Sequence, residues 1–370
     1  MLAAGEYTTT LNRYRIELSR LGSITGKGIF VTMVTVGVQG IPACTTAGHE
    51  TPVLVTTASG TNDPDKPELA AAQECLGHEN GPCVLAALAG LRNKAVAKTA
   101  AYLDLKAEAL ALEHRQAEAL TTIQSAIQDD PSQPHYLITQ GRIYLRFGNA
   151  TDAIESFLKA AKLEPQSPDP LYFLGTTFFL LAEHTQSPDY YRRAEQHFHL
   201  ALQVSPDYHR AEFMLGVIDA MQSRLDEART HLQQAIRLDP GNPYYHLHYG
   251  ILLKQEVDNR DALIEMKASQ KLNPSYALTH YELGTVYQRL EDYGRAKSEL
   301  QEAVALNPNL SVAYYHLGLV YSRLGLPNQS RNAIEKYKLT KALQDKENLD
   351  PAASAIYSQE SKDFQENSSP

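Results

Sequence analysis

Apolar residues along this chain recur in helical phase, and the phase restarts at a fixed interval. Residues 277–308 read ALTHYELGTVYQRLEDYGRAKSELQEAVALNP. With Ala277 as position 1, positions 4, 7 and 11 share one helical face, and positions 20, 24 and 27 form the stripe of a second helix. A polar loop at about 14–17 separates them, so the stretch predicts a helical hairpin. Near copies of it run up and down the sequence. Position 8 is glycine in Gly141, Gly175, Gly216, Gly250, Gly284 and Gly318. Position 20 is alanine in Ala119, Ala153, Ala194, Ala228, Ala262 and Ala296. Position 32 is proline in Pro131, Pro165, Pro206, Pro240, Pro274 and Pro308, spaced 34 residues apart except for a 41-residue step from Pro165 to Pro206.

Each recurring residue type has a physical reason to be where it is. Gly at 8 and Ala at 20 leave almost no side chain, so two helices can approach closely. The aromatic residue at 11 (Tyr144, Phe178, Tyr287, Tyr321) fills space beside them. Proline at 32 ends the second helix, because it has no N–H to donate and its ring clashes with the preceding turn. One hairpin cannot bury its apolar stripe alone, whereas stacked neighbours bury a continuous one. The expected fold is therefore all-α, a curved solenoid of six or seven hairpins with a groove.

The period and the Gly, Ala, Pro columns resemble the tetratricopeptide repeat family. The resemblance implies a right-handed superhelical solenoid of helix-turn-helix units whose first helices turn positions 2, 5, 9, 12 and 13 toward a concave, peptide-binding groove. Carried onto this sequence, that groove is lined by Ile138, Arg142, Tyr172, Phe213, Leu247, Tyr281, Arg289, Tyr315 and Arg323. The apolar and aromatic ladder suits an extended or helical peptide, with Arg and Tyr as polar anchors. The Lys and Asn columns with which some relatives clamp a terminal carboxylate are filled here by Tyr, Phe, Thr and Val.

The 41-residue step puts seven extra residues in the third full repeat, expected as a projecting loop over 182–191. The first repeat is irregular, with Lys106 and Ala107 at positions 7 and 8. The last keeps Leu317, Gly318 and Tyr321, then carries Ser330, Ile334 and Tyr337 at positions 20, 24 and 27 and runs on as a long polar-faced helix that suits a C-terminal cap.

The chain has 370 residues and a net charge of −9, with acidic and basic residues interspersed along the repeats. That distribution argues against a nucleic-acid footprint. No phosphate loop, nucleophile elbow or HExxH motif is present. Among the 13 histidines, His197 with His199 and His246 with His248 are spaced i, i+2, which sends the two rings to different helix faces. The chain is expected to be non-catalytic, without a cofactor, metal or small-molecule substrate.

Residues 1–43 differ in kind. Arg13, Arg15, Arg20 and Lys27 precede the uncharged run IFVTMVTVGVQGIPA, which is the order of an export signal and is too short for an ordinary membrane span. Ile41-Pro42-Ala43-Cys44 resembles a bacterial lipoprotein signal, implying lipidation of Cys44 and a membrane-anchored protein of the cell envelope. Cleavage after Ala47 is the alternative, giving a free protein. A cytosolic segment that stays attached is the other reading. Export would let Cys75 and Cys83, which flank Gly77, Gly81 and Pro82, pair as a disulfide. A metal site with His78 has too few ligands.

The expected organisation is thus a signal over 1–43, a flexible linker over 44–67, N-terminal capping helices over 68–98, the solenoid over 99–342 and a polar tail over 343–370. Function is expected to be protein binding, as a scaffold or adaptor at the periplasmic side of a membrane. The alternatives are a cytoplasmic scaffold, or the regulatory or substrate-presenting subunit of an enzyme complex.

Overall fold

The computed structural model describes residues 66–77, 80–90, 96 and 99–348, and of 66–68 and 344–348 the backbone only. The expected signal, Cys44, the linker up to residue 65, His78 and residues 349–370 lie outside the described residues. Every regular element among the described residues is a helix. None of them is long and apolar enough to cross a membrane.

The chain forms two compact units that meet in sequence between Ser205 and Pro206. The first holds α1 (Lys66–Gly77), α2 (Gly81–Ala89), α3 (Ala100–Leu112), α4 (Gln116–Asp129), α5 (Pro134–Arg146), α6 (Ala150–Leu163), α7 (Asp169–Thr185) and α8 (Pro188–Val204). The second holds α9 (His209–Met221), α10 (Leu225–Leu238), α11 (Pro243–Gln255), α12 (Asn259–Leu272), α13 (Ala277–Arg289), α14 (Tyr293–Leu306), α15 (Ser311–Arg323) and α16 (Pro327–Asn348). In each unit consecutive helices pair as hairpins, and the second helix of one hairpin packs on the first helix of the next.

The small residues bring the helices together as their chemistry predicts. A Cβ added to Gly141 would stand 2.4 Å from a ring carbon of Phe157, and one added to Gly284 would stand 2.6 Å from Cγ of Leu300. Position 8 of the first helix thus rests on position 24 of the second, and both Phe157 and Leu300 are fully buried. In the second unit Leu247, Met266, Leu283, Val286, Leu300, Leu317 and Val320 belong to one continuous apolar core. In the first, Ala107, Leu110, Ile123 and Ile143 pack together across α3, α4 and α5.

The turn inside each ordinary hairpin is also the same. Position 15 takes positive φ in His114, Gly148, Ser223, Val257, Glu291 and Gly325. The N–H of position 16 then donates back to the carbonyl of position 11, as Asn149 does to Tyr144 and Asp292 to Tyr287, at 2.9 and 3.0 Å. That bond satisfies a carbonyl that the end of the first helix leaves without an intrahelical partner.

Two expectations are corrected. The seven extra residues of the third full repeat do not project as a loop. Instead α7 and α8 are 17 residues each, against 13 and 14 in α5 and α6, and only Gln186 and Ser187 separate them. The added turns are held together by side chains: the Tyr191 hydroxyl donates to Glu183, Phe179 meets Tyr191 edge-on at 6.2 Å, and the Arg193 guanidinium lies over the rings of Phe178 and Tyr190. At the N-terminus, α2 runs to Ala89 with Gly90 as its C-cap. The helices α1 and α2 themselves form a hairpin that packs on α3 around Ala72, Val84, Leu88, Leu105 and Ala109. At the other end α16 carries its helix to Asn348, five residues past the expected start of the tail.

Candidate functional site

The first helices of the hairpins carry the residues expected to line a groove, and the fold divides those residues into two groups. Ile138, Tyr172, Phe213 and Leu247 are buried, Leu247 completely, and act as core. Phe213, for example, lies 4.7 Å from the ring of Tyr245 and 5.1 Å from His248. Arg142 is spoken for locally, its Nη1 donating to Glu108 at 2.5 Å. The accessible group sits on α13 and α15. Tyr281 is half-buried and meets His316 edge-on at 5.6 Å. Burial and the neighbouring Glu282 push its phenol up to about 12. Tyr315 is 42% exposed, and Arg289 and Arg323 are exposed.

Polar bridges beneath this surface join successive first helices. Lys254 of α11 pairs with Glu282 of α13, and Oε1 of Gln288 on α13 accepts from Nδ1 of His316 on α15 at 2.8 Å. Both bridges run from position 12 of one repeat to position 6 of the next. Arg289 Nη1 adds a donation to the Lys254 carbonyl at 2.8 Å. The accessible Tyr and Arg side chains therefore stand on a cross-braced floor. Rigid placement of this kind lowers the entropy lost when a partner orders them.

A second set of residues was not singled out from the sequence. In the second unit, positions 4 and 23 form ion pairs across the hairpin: Glu212 with His231 at 2.6 Å, His246 with Glu265 at 2.7 Å and His280 with Glu299 at 2.7 Å. The other ring nitrogens of His246 and His280 reach the carbonyls of Pro240 and Pro274, at 3.1 and 2.9 Å. Both acceptors are oxygens, so the two bonds are made together when both nitrogens carry hydrogen, and this geometry favours the cationic ring. The Glu265 and Glu299 carboxylates accordingly hold the two imidazoles above their ordinary value, against the opposing effect of burial. Glu212 does the same to His231. The signal that marks these pairs in the sequence is a His and a Glu 19 residues apart, with their order reversed in the first of the three.

His135 of the first unit is paired in a similar way, with Asp104 at 3.1 Å, whereas His197 does other work. His197 is buried and stacks on Phe178 at 5.4 Å with planes 9° apart. Burial, reinforced by Arg193, drives it down to about 3, so it is a neutral ring in an aromatic core. His199, two residues on, is exposed. Among the described residues no group of three or more His, Cys, Asp or Glu side chains is placed to hold a metal ion. Cys75 at the end of α1 and Cys83 in the first turn of α2 are joined, with Cα atoms 5.6 Å apart. Asn80 shapes the reversal between them, its side chain accepting from Cys83 N–H and its own N–H donating to the Cys75 carbonyl, both at 3.0 Å.

No curated protein matches this chain. Among solved structures, a chain of the APC/C hetero-tetramer Cut9–Hcn1 superposes with a TM-score of 0.57 at 18% identity, over 78% of this chain and 54% of that one. This chain thus spans about half the length of that relative. The structure reported with the functional characterization of Pseudomonas aeruginosa pilF gives a TM-score of 0.51 at 18% identity, over 59% of this chain and 96% of that one. Identities this low show the fold alone. Four family models, each described as a tetratricopeptide repeat, match residues 138–197, 190–249, 277–310 and 311–338. With the hairpin geometry described above, these matches place the chain in the tetratricopeptide repeat family.

Proposed function

We propose that this chain is a non-catalytic scaffold that binds a protein partner on the first-helix face of its repeats, and that it is exported and held at the outer side of a bacterial membrane by a lipid on Cys44. The observation that carries the binding reading is the accessible cluster on α13 and α15: Tyr315 and Arg323 exposed, Arg289 exposed beside them in the repeat order, and Tyr281 half-buried. Tyrosine and arginine are the residue types that dominate protein interfaces, since each offers a large apolar body with a polar end. The reading of export is supported by the Cys75–Cys83 pair, a linkage that persists in oxidising compartments.

Two measurements test the two halves. A photoreactive residue in place of Tyr315 should cross-link a defined partner in the native host, while the same residue in place of Ile264, exposed on α12, should not. Equal capture at both positions would remove the case for a specific face. The mass of the mature protein, intact and after reduction, tests export. A chain beginning at an acylated Cys44 and gaining about two hydrogens on reduction is expected. A chain that keeps Met1 and has free thiols would sink the membrane half and leave a cytosolic scaffold.

A further inference from the structure

The last hairpin leaves uncovered a surface that every inner hairpin of the second unit has covered. At position 5, Phe213 and Leu247 are buried and Tyr281 is half-buried, whereas Tyr315 is exposed. At position 9, Val217 is buried and Ile251 half-buried, whereas Leu319 is exposed. Val312 on α15 is exposed as well. Val312, Tyr315 and Leu319 follow one another at i, i+3 and i+7, so they form a single stripe on α15. Tyr337 of α16 continues it, with its ring 5.4 Å from that of Tyr315. A contiguous apolar surface of this kind calls for an occupant.

The charges around the stripe narrow what that occupant is. Arg323, Arg331, Lys336, Lys338 and Lys341 are all exposed on α15 and α16, with Glu335 the one exposed acid among residues 327–343. A second copy of this surface would bring like charges together, which disfavours a two-fold contact between copies. An acidic segment with apolar side chains fits both features. Residues 349–370, which follow α16 directly, are such a segment: Asp350, Glu360, Asp363 and Glu366 against Lys362, with Ile356, Tyr357 and Phe364 between them. Eight residues of extended chain from Asn348 to Ile356 span about 26 Å, ample to turn back onto α15. A segment joined to its own site also acts at an effective concentration on the order of millimolar.

We propose that residues 349–370 occupy the apolar, basic surface of α15 and α16 of the same molecule, with Ile356, Tyr357 and Phe364 on the stripe and the carboxylates among the lysines. The segment thereby takes the place that a further repeat would fill. The proposal shares its surface with the partner-binding reading but does not depend on a partner.

The chain has no tryptophan, so full-length Phe364→Trp carries a single reporter in the segment. Its emission is expected to be blue-shifted relative to a free 349–370 peptide bearing the same tryptophan. Val312→Asp with Leu319→Asp should return it to the peptide value at unchanged helix content. Lys338→Glu with Lys341→Glu, both fully surface changes, should also shift it to the red. Emission equal to that of the peptide, or a blue shift untouched by both double substitutions, would overturn the proposal. So would a blue shift that grows with protein concentration, which would put a second copy on the surface instead. None of these outcomes involves a partner, so failure here leaves the cross-linking test of the binding face standing.

Discussion

The two units share one hairpin plan and differ in what fills two of its columns. In the first, position 24 is phenylalanine in Phe157 and Phe198, and position 4 is leucine in Leu137 and Leu171. In the second, position 24 is Leu232, Met266 and Leu300, and positions 4 and 23 carry the three His–Glu pairs. The glycine at 8 and alanine at 20 set the distance between helices in both, so spacing and filling are separable. The first unit gains stability from aromatic burial: Phe157 stacks on Phe173 at 5.3 Å, and Tyr172 lies 5.8 Å from Phe198. The second adds an electrostatic contribution that responds to protons.

The largest expected effect breaks the aromatic side of this comparison. Phe198→Ala removes a fully buried ring and should lower the stability of the first unit by about 4 kcal/mol, near the middle of the range for such truncations. Leu300→Ala should cost the second unit about 3 kcal/mol. Hydrogen exchange followed in each unit separately reads both numbers, because repeat arrays lose cooperativity between distant hairpins. A loss at Phe198 no greater than at Leu300 would remove the aromatic half of the argument.

Titration should next separate α7 and α8 from α9 through α14, because His197 is shifted down whereas His231, His246 and His280 are shifted up. The folded value of His197, about 3, lies below that of the unfolded chain, so protonation favours unfolding. Its contribution is intact above about pH 6.5 and weakens with acid, by on the order of 2 kcal/mol at pH 5. His231, His246 and His280 are raised. Their contribution is fully present below about pH 6.5 and is lost as pH rises through their folded values. Between pH 8 and 5.5, exchange corrected for its intrinsic rate should therefore quicken in α7 and α8 and slow in α9 through α14. His197→Phe should remove most of the first response, leaving the part that belongs to His184, and leave the second. Parallel responses in α7–α8 and in α9–α14 would contradict the assignment of charge.

These differences also show where the sequence was readable. Columns 8, 20 and 32 declared the hairpins because only small residues permit the close approach, as at Gly141 against Phe157, and only proline ends the second helix so abruptly. The charged pairs were hidden because the first of them exchanges its two residues, Glu212 with His231, so neither column is uniform. The stretch 182–191 read as a loop because it is polar, yet the Tyr191–Glu183 bond and the Arg193 stacking on Phe178 turn that polarity into a seam between two longer helices. Position 5 read as groove all along the chain, whereas Leu247 and Phe213 are covered by their neighbours and only the end of the ladder at Tyr315 is open. Periodicity gives the face of a residue, but the next hairpin decides whether that face meets solvent.

The smallest expected effect sharpens a feature that both units share, the turn at position 15. Its φ is +78° in Gly148 and +71° in Gly325, but +66° in Val257. A β-branched residue is strained in this left-handed region, because its Cβ crowds the following carbonyl. Val257 is 74% exposed, so its side chain returns little burial to offset that strain. The strain is about 1–2 kcal/mol, and the extra freedom of glycine in the unfolded chain takes back part of it. Val257→Gly should therefore stabilise the second unit by about 1 kcal/mol, seen as a higher denaturation midpoint at unchanged slope. A Cβ on Gly325 would have open space around it, so Gly325→Val isolates the same backbone effect with the opposite sign. If Val257→Gly were neutral while Gly325→Val still destabilised, the loss would belong to the last hairpin and not to the shared turn.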